Sequence, residues 1–313
     1  MKNGSPAAPA PDAPEFVKQF EEAIASYARA VEAGHTEQAE AAALHAMTLA
    51  AGEAERNPTP SLQLKREAAE CENRRDWVGA EAAYRKVLPL EEATGNFGLL
   101  AKPQMDLAGL LRCLGRVDEA WDFALAATDS ARRCDLFPVL VMALECQASC
   151  ALAKNDPATA LAAASEAVQL IEPGKLYDHM RARVLVRRAR CLLAVADLPA
   201  AETDLAASWK LLHDSKAPGS FPGPKFTLSL WWEVKSRVLE KQGNLQDACE
   251  AIRHCAELRR QLQSPNVTFA LVETLERLAR LSSSSGATAE AESAQAEAEA
   301  LRAYLRLPAV GSG

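Results

Sequence analysis

The residues best equipped for chemistry in this chain are few. Cys249, His254 and Cys255 form its one local Cys/His cluster. Metal ligands carried on a single helix share a face at i, i+3 or i, i+4, whereas these stand at i, i+5 and i, i+6. A buried thiol beside an exposed imidazole is therefore expected, with no metal and no cofactor. Cys249 lies inside a helical run rather than at a loop end, and no orienting base is evident, so nucleophilic catalysis is not expected either. The phosphate loop Gly-x-x-x-x-Gly-Lys-Ser/Thr, His-Glu-x-x-His, Gly-x-Ser-x-Gly and the EF-hand loop are all absent. One pattern does stand out. Arg183, Arg187 and Arg190 recur at i, i+4 and i+7, which puts three guanidinia on one helical face. A planar guanidinium binds carboxylate bidentately, so this face suits an anionic partner.

The elements that carry these residues must be helices. Ala makes up a fifth of the 313 residues, and aromatic residues only 5%. Ala is the best helix former, while β-branched and aromatic residues favour strands, so an all-α chain is expected. The formal net charge of −7 argues against a nucleic-acid binder. The longest apolar stretch, near Leu136 to Leu144, is short and holds Pro138, so no membrane span is expected. The start, MKNGSPAAPAPDAP, lacks the apolar core of a secretory signal. The eight Cys include no Cys-x-x-Cys, and Cys146 and Cys150, at i, i+4 in a helical stretch, suit small buried apolar positions. Reduced thiols and a cytoplasmic setting follow as expectations.

An internal repeat organises the chain. Turn anchors fall at Gly34, Arg75, Gly115, Asn155, Ala196, Gly243 and Gly286, between 40 and 47 residues apart. Five residues after each anchor stands Ala: Ala39, Ala80, Ala120, Ala160, Ala201, Ala248 and Ala291. Seven residues further on come Ala46, Val87, Ala127, Ala167, Ser208, Cys255 and Ala298. Seven residues before the turn come Tyr27, Ala68, Ala108, Ala148, Ala189, Ser236 and Ala279. Small residues at these places allow helix A, helix B and the next helix A to approach closely. The spacing resembles the tetratricopeptide repeat, with small residues at positions 8 and 27, a turn at 15 and Ala at 20. The period near 41 is similar to the longer, kinesin-light-chain-like variant. The chain departs from that pattern at position 4, where only Trp232 is aromatic, and at position 11, which holds no Tyr.

That resemblance implies a right-handed α-solenoid of about seven helical hairpins. They span about 15–56, 61–95, 97–135, 137–173, 176–213, 225–263 and 265–307, with a long loop at 214–224. A disordered Ala/Pro tail occupies 1–14, and 308–313 reads as a tail or linker remnant. The seventh helix B is rich in Ala and Glu, as a terminal capping helix should be. The resemblance also implies an inner, concave wall made by helix A. By register, position 9 of the last three units is Arg190, Arg237 and Arg280, with Arg183, Arg187, Lys241 and Arg277 on the same side. Glu233 and Glu276 stand four residues before Arg237 and Arg280, the spacing of ordinary intrahelical pairs, whereas Val186 fills that slot before Arg190. A second candidate surface is Phe221 on the Pro-rich loop, near Trp209, Phe226, Trp231 and Trp232, which alternatively form a local core. The expectation is a non-enzymatic interaction scaffold that binds another protein or peptide, an acidic one, in the groove. The alternative is a regulatory sensor controlling a separate catalytic partner. Neither involves nucleic acid, membrane, metal or cofactor.

Overall fold

The computed structural model describes residues 15–33, 59–134, 136–171, 178–214, 222–262 and 264–306, with His35 and scattered residues of 38–52. Among these residues there are thirteen helices and no strand. They are α1 (Glu15–Glu32), α2 (Pro60–Arg74), α3 (Trp77–Ala93), α4 (Phe97–Cys113), α5 (Val117–Arg133), α6 (Phe137–Ala153) and α7 (Pro157–Leu170). After these come α8 (Asp178–Ala194), α9 (Leu198–Asp214), α10 (Pro222–Lys241), α11 (Leu245–Arg260), α12 (Pro265–Ser284) and α13 (Thr288–Tyr304). From α2 onward they pair as antiparallel hairpins, 2 through 7, each stacked on its predecessor. The second helix of hairpin 1 falls on the scattered residues, where parts of 38–52 are helical.

The turn of each hairpin has one backbone solution. Arg75, Gly115, Asn155, Ala196, Gly243 and Gly286 all adopt left-handed φ, between 60° and 86°. A residue in this conformation ends a helix by letting the next backbone N–H turn back to the last carbonyls. The N–H after each turn does so, as when Asp156 donates to Ala151 O at 2.9 Å. An Asx cap often starts the next helix: Asp76, Asp156 and Asn244 accept from the backbone N–H three residues on.

The small residues of the repeat are the packing points. Ala80, Ala120, Ala160, Ala201 and Ala248 are wholly buried, as are Ala68, Ala108 and Ala189 from position 8. Ser236, also at position 8, donates its hydroxyl to Ala248 O at 2.8 Å, so a polar atom at this contact is satisfied across the hairpin. Cross-hairpin ion pairs stitch successive B helices, among them Arg132–Glu166, Arg253–Glu290 and Arg260–Glu297 at 2.6–2.8 Å.

Two features depart from the sequence expectation. Helix α10 starts at Pro222 rather than after the loop, because Pro in a first turn lacks only an N–H that the helix would leave unpaired. The other departure is larger. The array curls until hairpin 7 meets hairpins 2 and 3. Trp77 Nε1 donates to Leu305 O at 2.8 Å, and its ring lies 5.1 Å from that of Phe269. Phe269, Val272 and Leu305 share a buried cluster with Leu107, Leu110 and Leu111. Arg75 stacks over the Tyr304 ring at 3.4 Å. The terminal helix does keep an exposed face of Glu292, Gln295, Ala296 and Glu299, but Leu305 at its end is buried against hairpins 2 and 3.

Candidate functional site

Helices α4, α6, α8 and α10 pack in turn along the inner side, and α12 crosses to α4. The inner side is therefore bridged where α12 meets α4, and polar side chains lie along it. Glu145 of α6 is buried, and both its oxygens accept from Arg183 of α8, at 3.0 and 2.7 Å. Arg187 adds a bond to Glu145 at 3.1 Å and another to Ser149 Oγ at 2.9 Å. Burial, followed by Arg183, Arg190 and Arg112 nearby, holds the Arg187 guanidinium below its ordinary pKa against the pull of Glu145.

A second carboxylate organises the next step. Glu233 of α10 is buried and meets three guanidinia: Arg259 at 2.6 Å, Arg237 at 3.2 Å and Arg190 at 4.0 Å. Burial by itself would raise its pKa, yet Arg190, Arg259 and Arg237 hold the carboxyl well below the usual range. Arg277 of α12 is buried and donates to Glu240 of α10. Arg280 and Lys241 are exposed and make no ion pair with a described residue.

The candidates thus separate by environment. Arg183 and Arg187 are committed to Glu145. Arg190, expected to have no carboxylate beside it, reaches Glu233 of the following hairpin, a correction that intrahelical spacing could not supply. Glu276, expected to pair with Arg280, instead accepts from Arg302 at 2.6 Å. That leaves Arg280 exposed, lining a surface pocket between α12 and α13 with Glu276, Glu292 and Glu299, and Lys241 exposed on α10, while the side chains of Arg237 and Arg190 are about a third exposed. Phe221 lies outside the described residues. Its aromatic neighbours are packed together: Trp209 sits 4.4 Å from Trp231 and 6.0 Å from Trp232, and Trp231 donates to Leu205 O at 2.9 Å. They form the local core between hairpins 5 and 6.

The i, i+4 pair of Glu233 with Arg237 is present as the spacing predicts, whereas the cross-hairpin partners of Arg183, Arg187 and Arg190 were the part missed in sequence. Glu145 and Glu233 both stand at position 5 of their repeats, facing position 2, 6 or 9 of a neighbouring helix A. A recurring acid at that register is the signal. The thiols are free, and burial pushes Cys191 and Cys255 up to about 11. His254 lies over Trp232, with ring centroids 4.8 Å apart. Among the described residues no group of three or more His, Cys, Asp or Glu is placed to hold a metal ion, and no helix is long and apolar enough to cross a membrane.

No family model matches the sequence, and no curated protein is similar to it. Solved structures do match. A Rap protein complexed with competence and sporulation factor is 11% identical, with 93% of this chain and 98% of that one covered and a TM-score of 0.57. The apo form of RapI is 10% identical, with 79% and 99% covered and a TM-score of 0.50. A kinesin light chain with TPR-like repeats from Podospora anserina is 16% identical, with 66% and 95% covered and a TM-score of 0.41. With the hairpin period, the buried Ala register and the left-handed turns, the likeness to the two Rap structures shows the fold, a TPR-like helical-hairpin α-solenoid.

Proposed function

We propose that this chain is a non-catalytic interaction module that takes an acidic protein segment at the basic mouth of its inner wall. The observation that carries this is the supply of guanidinia on α8, α10 and α12. Arg190, Arg237 and Arg280 stand at one register of three successive A helices, and Glu233 serves the first two only in part. Stacked helices advance about 8–10 Å per step. An extended chain advances about 3.3 Å per residue, so acids about three apart reach successive arginines. The fold supports a protein partner, since similar folds include a Rap protein solved with the competence and sporulation factor. A cytoplasmic location belongs to the same proposal.

The seam between hairpins 2 and 7 favours one further reading, a regulatory sensor. A segment that docks along the inner wall has to compete with Glu145 and Glu233 for their arginines, and the curl of the array must yield to admit it. Occupancy would then be read by a separate partner as a change at the seam.

The test uses fluorescent peptides with Asp or Glu at every third position, and charge-swapped Lys peptides as controls. The acidic set should bind, more weakly at high salt because exposed charges are screened over about 8–10 Å. Arg280→Glu and Arg190→Glu should each weaken binding, while Lys86→Glu, on helix B, should leave it unchanged. Equal affinity of the Arg280→Glu protein and wild type would remove the mouth from consideration.

A further inference from the structure

The mouth carries more positive charge than its own carboxylates answer. Arg190, Arg237 and Arg259 converge on Glu233, Arg277 pairs with Glu240, Arg280 pairs with neither but acts on Arg277, and Glu273 also acts on Arg259. Glu233 is fully engaged, with Oε2 on Arg259 and Oε1 shared by Arg237 and Arg190. Glu240 serves Arg277 through Oε2. Even so, two guanidinium donors in this cluster have no acceptor: Nε of Arg237 and Nε of Arg277 are both buried and unpaired. Arg277 as a residue is only 7% exposed. A buried charged donor without an acceptor is costly, and two beside one another call for a missing anion.

We propose that Arg237, Arg277 and Arg280 form a phosphoryl-binding subsite between α10 and α12, which takes a phosphorylated side chain of the bound acidic segment. The inference rests on the function proposed above and narrows its ligand. Three observations favour a phosphoryl group over one more carboxylate. Two carboxylates are already present and leave both Nε–H groups unpaired. The excess of charge matches a phosphomonoester, which carries about −1.5 to −2 at neutral pH, better than the single charge of Asp or Glu. The three donors are all Arg, whose rigid forks can share the three terminal oxygens of a phosphate. Each A helix from α4 to α10 packs closely on the next, but α10 and α12 approach less closely, and the Arg277–Glu240 pair bridges the gap between them. Burial, with Arg237 and Arg280 as like-charged neighbours, lowers the pKa of Arg277, and an incoming dianion relieves that repulsion.

The experiment compares three peptides on the acidic framework described above, differing at one central position: phosphoserine, Glu and Ser. Titrations use the whole chain as wild type, Arg237→Lys, Arg277→Lys and Arg280→Gln, with folding checked by circular dichroism. Lys keeps the charge but has no Nε and no fork. Wild type should bind the phosphoserine peptide about tenfold or more tighter than the Glu peptide, and each variant should lose most of that advantage while still binding the Glu peptide. Inorganic phosphate should compete in wild type; competition without any phosphopeptide preference would assign the site to free phosphate and overturn the peptide assignment. Equal binding of the Glu and phosphoserine peptides overturns the phosphoryl subsite but leaves the acidic-segment function intact. A phosphopeptide advantage that survives all three substitutions places the phosphate elsewhere and overturns the assignment. If neither acidic peptide binds wild type, the inference and the underlying function fall together.

Discussion

Glu233 shows how much of the inner wall rests on single side chains. It is buried, and three arginines from three helices meet its carboxylate. Replacing it by Ala leaves Arg259, itself 3% exposed, without its carboxylate. Breaking a buried pair from one side costs about 3–5 kcal/mol, so a loss of that order is expected in urea unfolding. The pH dependence has a definite sign. The folded carboxyl has a pKa well below its unfolded value, so its stabilisation is complete above the unfolded pKa and is lost as pH falls through the folded one. Wild type should therefore weaken below about pH 4.5 by more than Glu233→Gln does. Parallel acid profiles for the two proteins would deny the carboxylate this role. The arginines of this network were visible in the sequence, because Arg183, Arg187 and Arg190 share a helical face by spacing alone. Their partners were not, since Arg190 and Glu233 lie in different hairpins and only the superhelical curl brings them within 4.0 Å.

The hairpin is the element that the sequence describes best, and its turn explains why. Six described anchors adopt left-handed φ, but Arg75, Asn155 and Ala196 are not glycine. Their period, not their residue type, marked them. For a residue with a Cβ this conformation costs about 1–2 kcal/mol, with Asn the most tolerant. Ala196, at φ 64°, has no side chain able to offset that cost. Glycine loses more entropy on folding, by about 0.4–1 kcal/mol, so Ala196→Gly should still gain about 0.5–1 kcal/mol, read from a urea midpoint. An unchanged or lower midpoint would mean that the turn is not strained. The Ala of position 20 makes the opposite demand. Ala160 is wholly buried where helices A and B meet, so Ala160→Phe should cost about 1–3 kcal/mol or more by overpacking. Ala296 lies on the exposed face of α13, and the same change there should cost little. These contacts are local in sequence, which is why a period and a column of small residues suffice to read them.

Closure of the array belongs to the whole molecule, and no local pattern foretold it. A repeat fixes how each hairpin sits on the next; small rotations per step then add up over the array. Whether hairpin 7 reaches back to hairpins 2 and 3 depends on that sum, and on what residues await at the meeting point. Here the chain supplies apolar groups that a purely nearest-neighbour stack would leave wet. Trp77, Phe269, Val272 and Leu305 bury one another across 228 residues of sequence, and the indole N–H finds Leu305 O. Deleting a buried Trp side chain costs about 3–5 kcal/mol where surroundings cannot collapse onto the gap. Some of that cost is local to α3, whose neighbours α2 and α4 also pack on it. The seam contribution can be isolated by a change on its other side. Leu305→Asp alters a residue beyond the last helix, places a charge in the apolar seam and leaves the hairpin contacts of α3 intact. Both Trp77→Ala and Leu305→Asp should therefore speed amide exchange in α12 and α13 and enlarge the radius of gyration, while α6 to α9 keep their protection. In a linear array lacking the seam, Leu305→Asp would alter only the last turn of α13. Unchanged exchange at α12 and an unchanged radius in the Leu305→Asp protein would show that hairpin 7 touches hairpins 2 and 3 without holding the array curled, and the sensor reading would lose its physical basis.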